Sequence, residues 1–176
     1  MNKAVFLDRD GVLNKAIIID GKPYAPKNID QVEFCEDVQK AIANLIKANF
    51  LLIGITNQPD VARGLIEKEK VDEINDFIAK KLNLISILTC YHDDKDMCNC
   101  RKPLPGNILL ASKKYQINLN LSYMVGDRWR DIEAGVLSGC KTFFIDYNYN
   151  EKQPVNFDYK VKSLFEASKI ILEKNK

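Results

Sequence analysis

Asp8 and Asp10 stand two residues apart in the run DRDGVLN, and two further carboxylates, Asp127 and Asp131, stand four apart in GDRWRDIEAG. Such groups supply the hard oxygen donors that Mg²⁺ selects, and Mg²⁺ keeps several waters and accepts a substrate phosphate rather than requiring an all-protein cage. Asp8, Asp10 and Asp127 are therefore the expected magnesium ligands, and Asp131 is expected to position the metal waters or Lys102. A phosphoryl group held there would face Asp8, whose carboxylate can attack phosphorus in line and form an aspartyl-phosphate. Asp10, past a turn, would protonate the leaving alkoxide and then deprotonate the water that opens the intermediate. In TNQPDVARG the Thr56 hydroxyl and the Asn57 backbone amide offer hydrogen bonds to a phosphoryl oxygen, and Lys102 of CRKP offers an ammonium. The expected catalytic set is Asp8, Asp10, Thr56 and Lys102, with Asn57, Gln58, Arg101 and Arg128 meeting the substrate.

The run CYHDDKDMCNCRKP contains the only histidine of the chain and three of its five cysteines. Cys90 and His92, then Cys98 and Cys100, form two close pairs that suit tetrahedral Zn²⁺. Four protein ligands leave no open position, so the expected role is structural, bracing the loop that carries Arg101 and Lys102. The competing reading is a surface loop with free cysteines. Cys35 and Cys140 lie elsewhere and read as core thiols.

These residues need elements to bring them together. Lys3–Leu7 is an apolar run of the kind a buried strand requires. Val38, Ala41, Ile42, Leu45 and Ile46 recur at helical spacing between residues 36 and 50, and a second strand follows over residues 50–55. A helix over 67–82 leads to a strand over 84–91. Pro105 opens a further helix, residues 121–125 form a strand, and a helix over 131–138 stops at Gly139 before a strand over 141–145. Ser163 and Glu166 have the spacing of a capping box ahead of a last helix. Strands alternating with helices predict a parallel sheet covered on both faces, with ligands at the carboxyl ends of the strands. DRDGVLN, TNQPDVARG and GDRWRD each follow a strand, so their polar groups converge on one edge.

With 176 residues, 46% hydrophobic and 28% charged, the chain has the size and composition of one globular domain spanning residues 1–176. The apolar run at the N-terminus is broken at Asp8 and is too short for a signal or membrane segment, which predicts a cytoplasmic location. Reducing conditions there favour metal over disulfides for the clustered cysteines. A net charge of +2 with no basic block makes nucleic acid a poor partner. The expected partner is a small phosphorylated substrate, with neither nucleic acid nor membrane involved and the chain a monomer.

DRDGVLN, TNQ, the lysine of RKP and GDRWRD resemble, in order, the four motifs of the haloacid dehalogenase superfamily of phosphatases, over Asp8 to about Ile145. CYH followed by CNCRKP is similar to a small zinc-containing subgroup that includes heptose bisphosphate and histidinol-phosphate phosphatases. The resemblance implies an α/β, Rossmann-like three-layer sandwich with a mainly parallel sheet, and the stretch from Asp10 to Thr56, with room for a flap and one helix, leaves none for a cap domain. The resemblance also implies Mg²⁺ dependence and an aspartyl-phosphate route with Asp8 as nucleophile and Asp10 as acid and base. The segment from Asn14 to Asn28 leaves room only for a flap, so the pocket is expected to be shallow and walled by the flap, the zinc loop, and Arg128 or Trp129. Arg101 and Arg128 are placed to meet a second anionic group, which favours a sugar bisphosphate as substrate. Pro59-Asp60 after TNQ, where Ser-Gly is usual, and the long flap depart from the pattern and bear on substrate identity. A histidinol-phosphate or other monoester phosphatase, a polynucleotide 3′-phosphatase and a zinc-braced binding module are the competing functions.

Overall fold

The computed structural model describes residues 1–175. Five strands alternate with four helices as expected: β1 (Lys3–Leu7), then, after the flap, α1 (Val38–Lys47), β4 (Phe50–Asn57), α2 (Lys68–Leu82), β5 (Ser86–Cys90), α3 (Gly106–Tyr115), β6 (Tyr123–Gly126), α4 (Trp129–Ser138) and β7 (Lys141–Ile145). The flap folds as a hairpin of β2 (Ile17–Ile19) and β3 (Lys22–Tyr24), turned at Asp20-Gly21. Both turn residues have positive φ, 51° and 73°, as a tight hairpin turn with the twist of its strands requires. A three-residue edge strand, β8 (Tyr159–Val161), precedes α5 (Leu164–Lys174).

The main sheet has the order β5-β4-β1-β6-β7-β8, and every neighbouring pair is parallel. Alternation along the strands divides the core in two. Val5, Leu7, Leu52, Val125 and Phe143 face α1, α2 and α5, whereas Ala4, Phe6, Ile53, Ile55 and Met124 face α3 and α4. This is the three-layer α/β sandwich of the Rossmann-like class. Glycines allow the close approach on the second face: a Cβ on Gly135 of α4 would lie 2.7 Å from side-chain atoms of Met124 and Thr142. The chain leaves β1 on one side for β4 and later returns on the other side as β6. The carboxyl end of β1 is thus the switch point at which an open parallel sheet presents a crevice. Between β1 and β4 the described residues form only the hairpin, a short 3-10 turn and α1, and no cap domain. Among the described residues no helix is long and apolar enough to cross a membrane.

Candidate active site

Asp8 is the first residue after β1, and its backbone amide donates to Val125 O of β6 at 3.0 Å, which fixes the two strand ends side by side. Asp127 follows β6, and Asp131 lies one turn into α4, where its Oδ2 accepts from the Arg128 amide. One oxygen from each of Asp8, Asp127 and Asp131 lies within 4.8 Å of the others, and all three residues are buried. Lys102 is 3% exposed and spends its three ammonium protons on this floor, at 2.5 Å from Asp8 Oδ1, 2.6 Å from Asp131 Oδ1 and 2.6 Å from Ile55 O.

Burial raises the Asp8 pKa to about 7, with Asp131 adding to the rise and Lys102 opposing it. Burial and the Asp8 carboxylate push Asp127 well above the carboxylate range. Lys102 is raised by Asp131 and Asp8 against the desolvation that would lower it. When ionised, three carboxylates and one ammonium leave two uncompensated negative charges, the complement of a divalent cation. Asp127 Oδ1 is buried without a hydrogen-bond partner, while Asp127 Oδ2 accepts from the Tyr149 hydroxyl at 2.8 Å. An all-oxygen donor set with one idle buried oxygen fits Mg²⁺. Close packing shapes the floor as well. Gly11 has φ +103°, and a Cβ there would lie 1.9 Å from Asp127 Oδ2.

Asp10, expected among the magnesium ligands, stands apart from that carboxylate group, in which Asp131 joins Asp8 and Asp127 instead. Its oxygens accept from Arg9 (Nε at 3.1 Å, Nη2 at 2.9 Å), from Asn14 Nδ2 at 3.0 Å and from Gln58 Nε2 at 2.9 Å. Gln58 also donates to Thr56 Oγ1 at 2.8 Å, so its side chain couples Thr56 to Asp10. Asn57 and Lys102 form a reciprocal pair, Asn57 Nδ2 to Lys102 O and Lys102 N to Asn57 Oδ1, each 3.0 Å. The amide side chains next to Thr56 are thus engaged in bracing Asp10 and Lys102.

Asp8, Asp10, Thr56, Asn57, Gln58, Arg101, Lys102, Arg128 and Asp131 all line one cavity of about 370 Å³, with Lys22 to Ala25 of the flap on its rim. Its mouth is a lattice of arginines and carboxylates. Arg101 Nε donates to Asp94 Oδ1 at 2.9 Å, Arg130 Nη1 reaches the same oxygen at 3.1 Å, and Arg63 grips Asp93 through Nε at 2.9 Å and Nη2 at 2.8 Å. Arg128 is bidentate with Glu151. Trp129 is not part of the cavity lining; Arg130 and Lys152 stack on its ring at 4.7 and 4.1 Å.

At the end of β5, Cys90, His92, Cys98 and Cys100 converge with donor atoms within 4.8 Å of one another. The Cys90, Cys98 and Cys100 sulfurs are 3.1 to 3.6 Å apart, and His92 Nδ1 lies 3.6 Å from Cys90 Sγ and 3.3 Å from Cys100 Sγ. A tetrahedral thiolate site with Zn–S near 2.3 Å has sulfurs about 3.8 Å apart, so the set fits zinc. Against its burial, the Arg101 amide and hydrogen bonds from the neighbouring Cys100 bring Cys98 down to about 7, favouring a thiolate. Cys140 is buried and Cys35 half-buried, both away from this cluster.

Sequence reasoning passed over Arg9, Arg63, Arg130, Tyr149 and Glu151. Arg9 lies between two selected residues and is wholly buried, joined to Asp10 and, at 2.8 Å, to Asn75 Oδ1 of α2. Tyr149 and Glu151 come from the irregular segment after β7, and no local pattern marks them.

A buried aspartate at a switch point, with lysine and further carboxylates around it, defines a class of phosphoryl-transfer hydrolases. Residues 99–166 match the family model described as "HAD-hyrolase-like". The chain is 36% identical over 146 residues to D-glycero-beta-D-manno-heptose-1,7-bisphosphate 7-phosphatase of Helicobacter pylori (strain ATCC 700392 / 26695), covering 80% of this chain and 81% of that one. It is 33% identical over 186 aligned positions to D-glycero-alpha-D-manno-heptose-1,7-bisphosphate 7-phosphatase of Photorhabdus laumondii, covering 96% of each. A D,D-heptose 1,7-bisphosphate phosphatase from B. bronchiseptica, solved with magnesium and phosphate, superposes with TM-score 0.80 at 27% identity over 98% of this chain and 99% of that one. The chain belongs to the haloacid dehalogenase superfamily, and it is a phosphatase of that group.

Proposed function

We propose that this protein removes the 7-phosphate of a D-glycero-D-manno-heptose 1,7-bisphosphate, with Mg²⁺ as cofactor and a structural Zn²⁺. The observation that carries the reading is Asp8 on the cavity floor, set between Lys102 at 2.5 Å and the carboxylates of Asp127 and Asp131. The names of the similar proteins supply the substrate, and the magnesium and phosphate of the B. bronchiseptica structure support the cofactor.

Asp8 and Asp127, with Asp131 beside them, would hold Mg²⁺, which neutralises charge on the phosphoryl oxygens when bound. The Thr56 hydroxyl takes a remaining phosphoryl oxygen, and Lys102 takes another by giving up one of its three contacts on the floor. The Asp8 carboxylate attacks phosphorus, the bond from phosphorus to the sugar oxygen breaks, and Asp10 gives that oxygen its proton. Asp10, held in place by Arg9, Asn14 and Gln58, then takes a proton from the water that attacks the aspartyl-phosphate, and Asp8 is regenerated with release of phosphate. Cys90, His92, Cys98 and Cys100 would hold zinc and so fix the loop from which Lys102 reaches the floor.

A second phosphate on the substrate would meet Arg101 at the mouth, where it competes with Asp94 for the guanidinium. The test is magnesium-dependent phosphate release from a panel of heptose 1,7-bisphosphate, the matching 7-monophosphate and histidinol phosphate. The bisphosphate is expected to be hydrolysed most efficiently, with Arg101→Ala lowering its kcat/KM about tenfold to a hundredfold and affecting the monophosphate much less. Equal efficiency on mono- and bisphosphate removes the bisphosphate assignment. No magnesium-dependent release from any ester removes the enzymatic reading.

A further inference from the structure

The segment after β7 reaches the site with every second residue. Tyr147 donates its hydroxyl to Gly11 O at 3.0 Å, Tyr149 donates to Asp127 Oδ2 at 2.8 Å, and Glu151 takes Arg128 in a bidentate pair. Three contacts from one short stretch thus hold the loop after β1 and the loop after β6. The two rings lie against each other with centroids 5.6 Å apart, and an Asx turn from Asn148 N to Asp146 Oδ1, 2.7 Å, shapes the intervening backbone.

We infer that Tyr149 is a positioning residue for the metal: by holding Asp127 Oδ2 it turns the idle oxygen, Oδ1, toward the position a magnesium ion takes between Asp8 and Asp127. Two observations carry this. Asp127 Oδ1 is buried and unpartnered, although burying an unpaired carboxylate oxygen is unfavourable unless a cation or donor meets it. The carboxylate is also confined, with Gly11 packed so closely that a Cβ would fall 1.9 Å from Oδ2, so the phenol hydroxyl is the one hydrogen-bond donor to Asp127 Oδ2 among the described residues. A carboxylate held by one hydrogen bond presents its other oxygen in a fixed direction, and partners of this kind commonly contribute tenfold to a hundredfold in metal affinity.

The inference rests on Asp127 as a magnesium ligand, and the experiment separates the two. Magnesium binding to the full chain, freed of Mg²⁺ by gel filtration with its zinc retained, is measured by titration calorimetry for the unmodified protein, Tyr149→Phe and Asp127→Asn. Tyr149→Phe removes one oxygen from a half-buried ring and should keep its fold, checked by its melting temperature. It is expected to bind Mg²⁺ about 10- to 100-fold more weakly. The Mg²⁺ concentration for half-maximal activity should rise in parallel, with kcat at saturating Mg²⁺ within about twofold of the unmodified enzyme, the split expected of a residue that acts through a metal ligand. Unchanged Mg²⁺ affinity in Tyr149→Phe overturns the inference, as does a lower kcat that saturating Mg²⁺ fails to restore. Tight Mg²⁺ binding by Asp127→Asn would instead remove Asp127 as ligand.

Discussion

Replacing Lys102 by methionine keeps the length of the side chain and removes its charge, leaving Asp8 and Asp131 on the floor without the ammonium that touches both. Removing one partner from a buried ion pair destabilises a protein by about 3–5 kcal/mol, because a charge is left buried without compensation. For a chain of this length each kcal/mol moves the melting temperature by about 2–4 °C, so the fall expected is about 6–20 °C in Mg²⁺-free buffer at pH 8. The pH dependence identifies the cause. Asp8 titrates at about 7 in the folded protein, above the ordinary 3.8, and Lys102 is the group that pulls it down, so its loss raises Asp8 further. A folded-state pKa raised above the unfolded value gives stability that is full at low pH and is lost as pH rises through the folded value. The deficit of Lys102→Met should therefore be greatest at pH 8, shrink toward pH 5 as the carboxylates take up protons, and be partly recovered at pH 8 by Mg²⁺. Melting curves by circular dichroism at both pH values, with and without Mg²⁺ and with zinc retained, test this. A deficit of constant size across pH and Mg²⁺ would mean lost packing and refute the electrostatic account.

Asp10→Asn should still bind Mg²⁺ but lose about 10²–10⁴ in rate on alkyl phosphates, and much less on aryl phosphates whose leaving group needs no proton; equal losses in burst kinetics would argue against Asp10 as the acid. Cys98→Ser should lower zinc content from about one per chain, and lower the melting temperature, while the Mg²⁺ concentration for half-maximal activity stays put; metal analysis finding no zinc in the unmodified protein would defeat the assignment. Gly11→Ala forces a side chain into a left-handed backbone position and against Asp127, so it should cost about 1–3 kcal/mol and weaken Mg²⁺ binding. Unaltered melting and Mg²⁺ titration curves in that variant would show that the loop yields freely.

Asp8, Thr56 and Asp127 were legible in the sequence because buried parallel strands are continuous apolar runs, so the first polar residues after each run mark the binding edge. The flap was legible as a turn-rich insert, and Asp20-Gly21 is its local signal for a hairpin. Apolar spacing predicts α4 only from Asp131, because Arg128, Trp129 and Arg130 carry no helical apolar pattern; the helix begins at Trp129, and Asp131 Oδ2 caps the Arg128 amide. Edge strand β8 has three residues, of which only Val161 is buried, too short for periodicity to register. The roles of the side chains of Asn57 and Gln58 depend on Lys102 and Asp10, distant in sequence, and propensity has no access to such pairings. Tyr149 and Glu151 are further cases, contributed by a segment whose conformation comes from an Asx turn and its contacts.

The charge balance of the floor also bears on the order in which ligands are accepted. Without a cation, burial raises Asp8 to about 7 and also raises Asp127, so at pH 8 a phosphate dianion approaches a floor whose Asp8 carboxylate is largely ionised and which offers only one ammonium. Each like-charge contact at about 4 Å costs about 4 kcal/mol at an effective dielectric constant near 20. The arginines at the mouth offset little of this, since Arg63, Arg101, Arg128 and Arg130 each have a carboxylate partner. Phosphate, the reaction product, should therefore bind weakly to the metal-free protein and strongly once Mg²⁺ is present. A ligand that binds only the folded chain raises its stability by RT ln(1 + [L]/Kd), so the melting temperature reads the difference directly. Phosphate at about a hundred times its Kd for the magnesium form would stabilise that form by about 2.7 kcal/mol. The metal-free protein at pH 8 should gain almost nothing from the same addition. Equal stabilisation by phosphate with and without Mg²⁺ would show that Lys102 and the backbone amides suffice to hold the anion, and the magnesium-first order would fall.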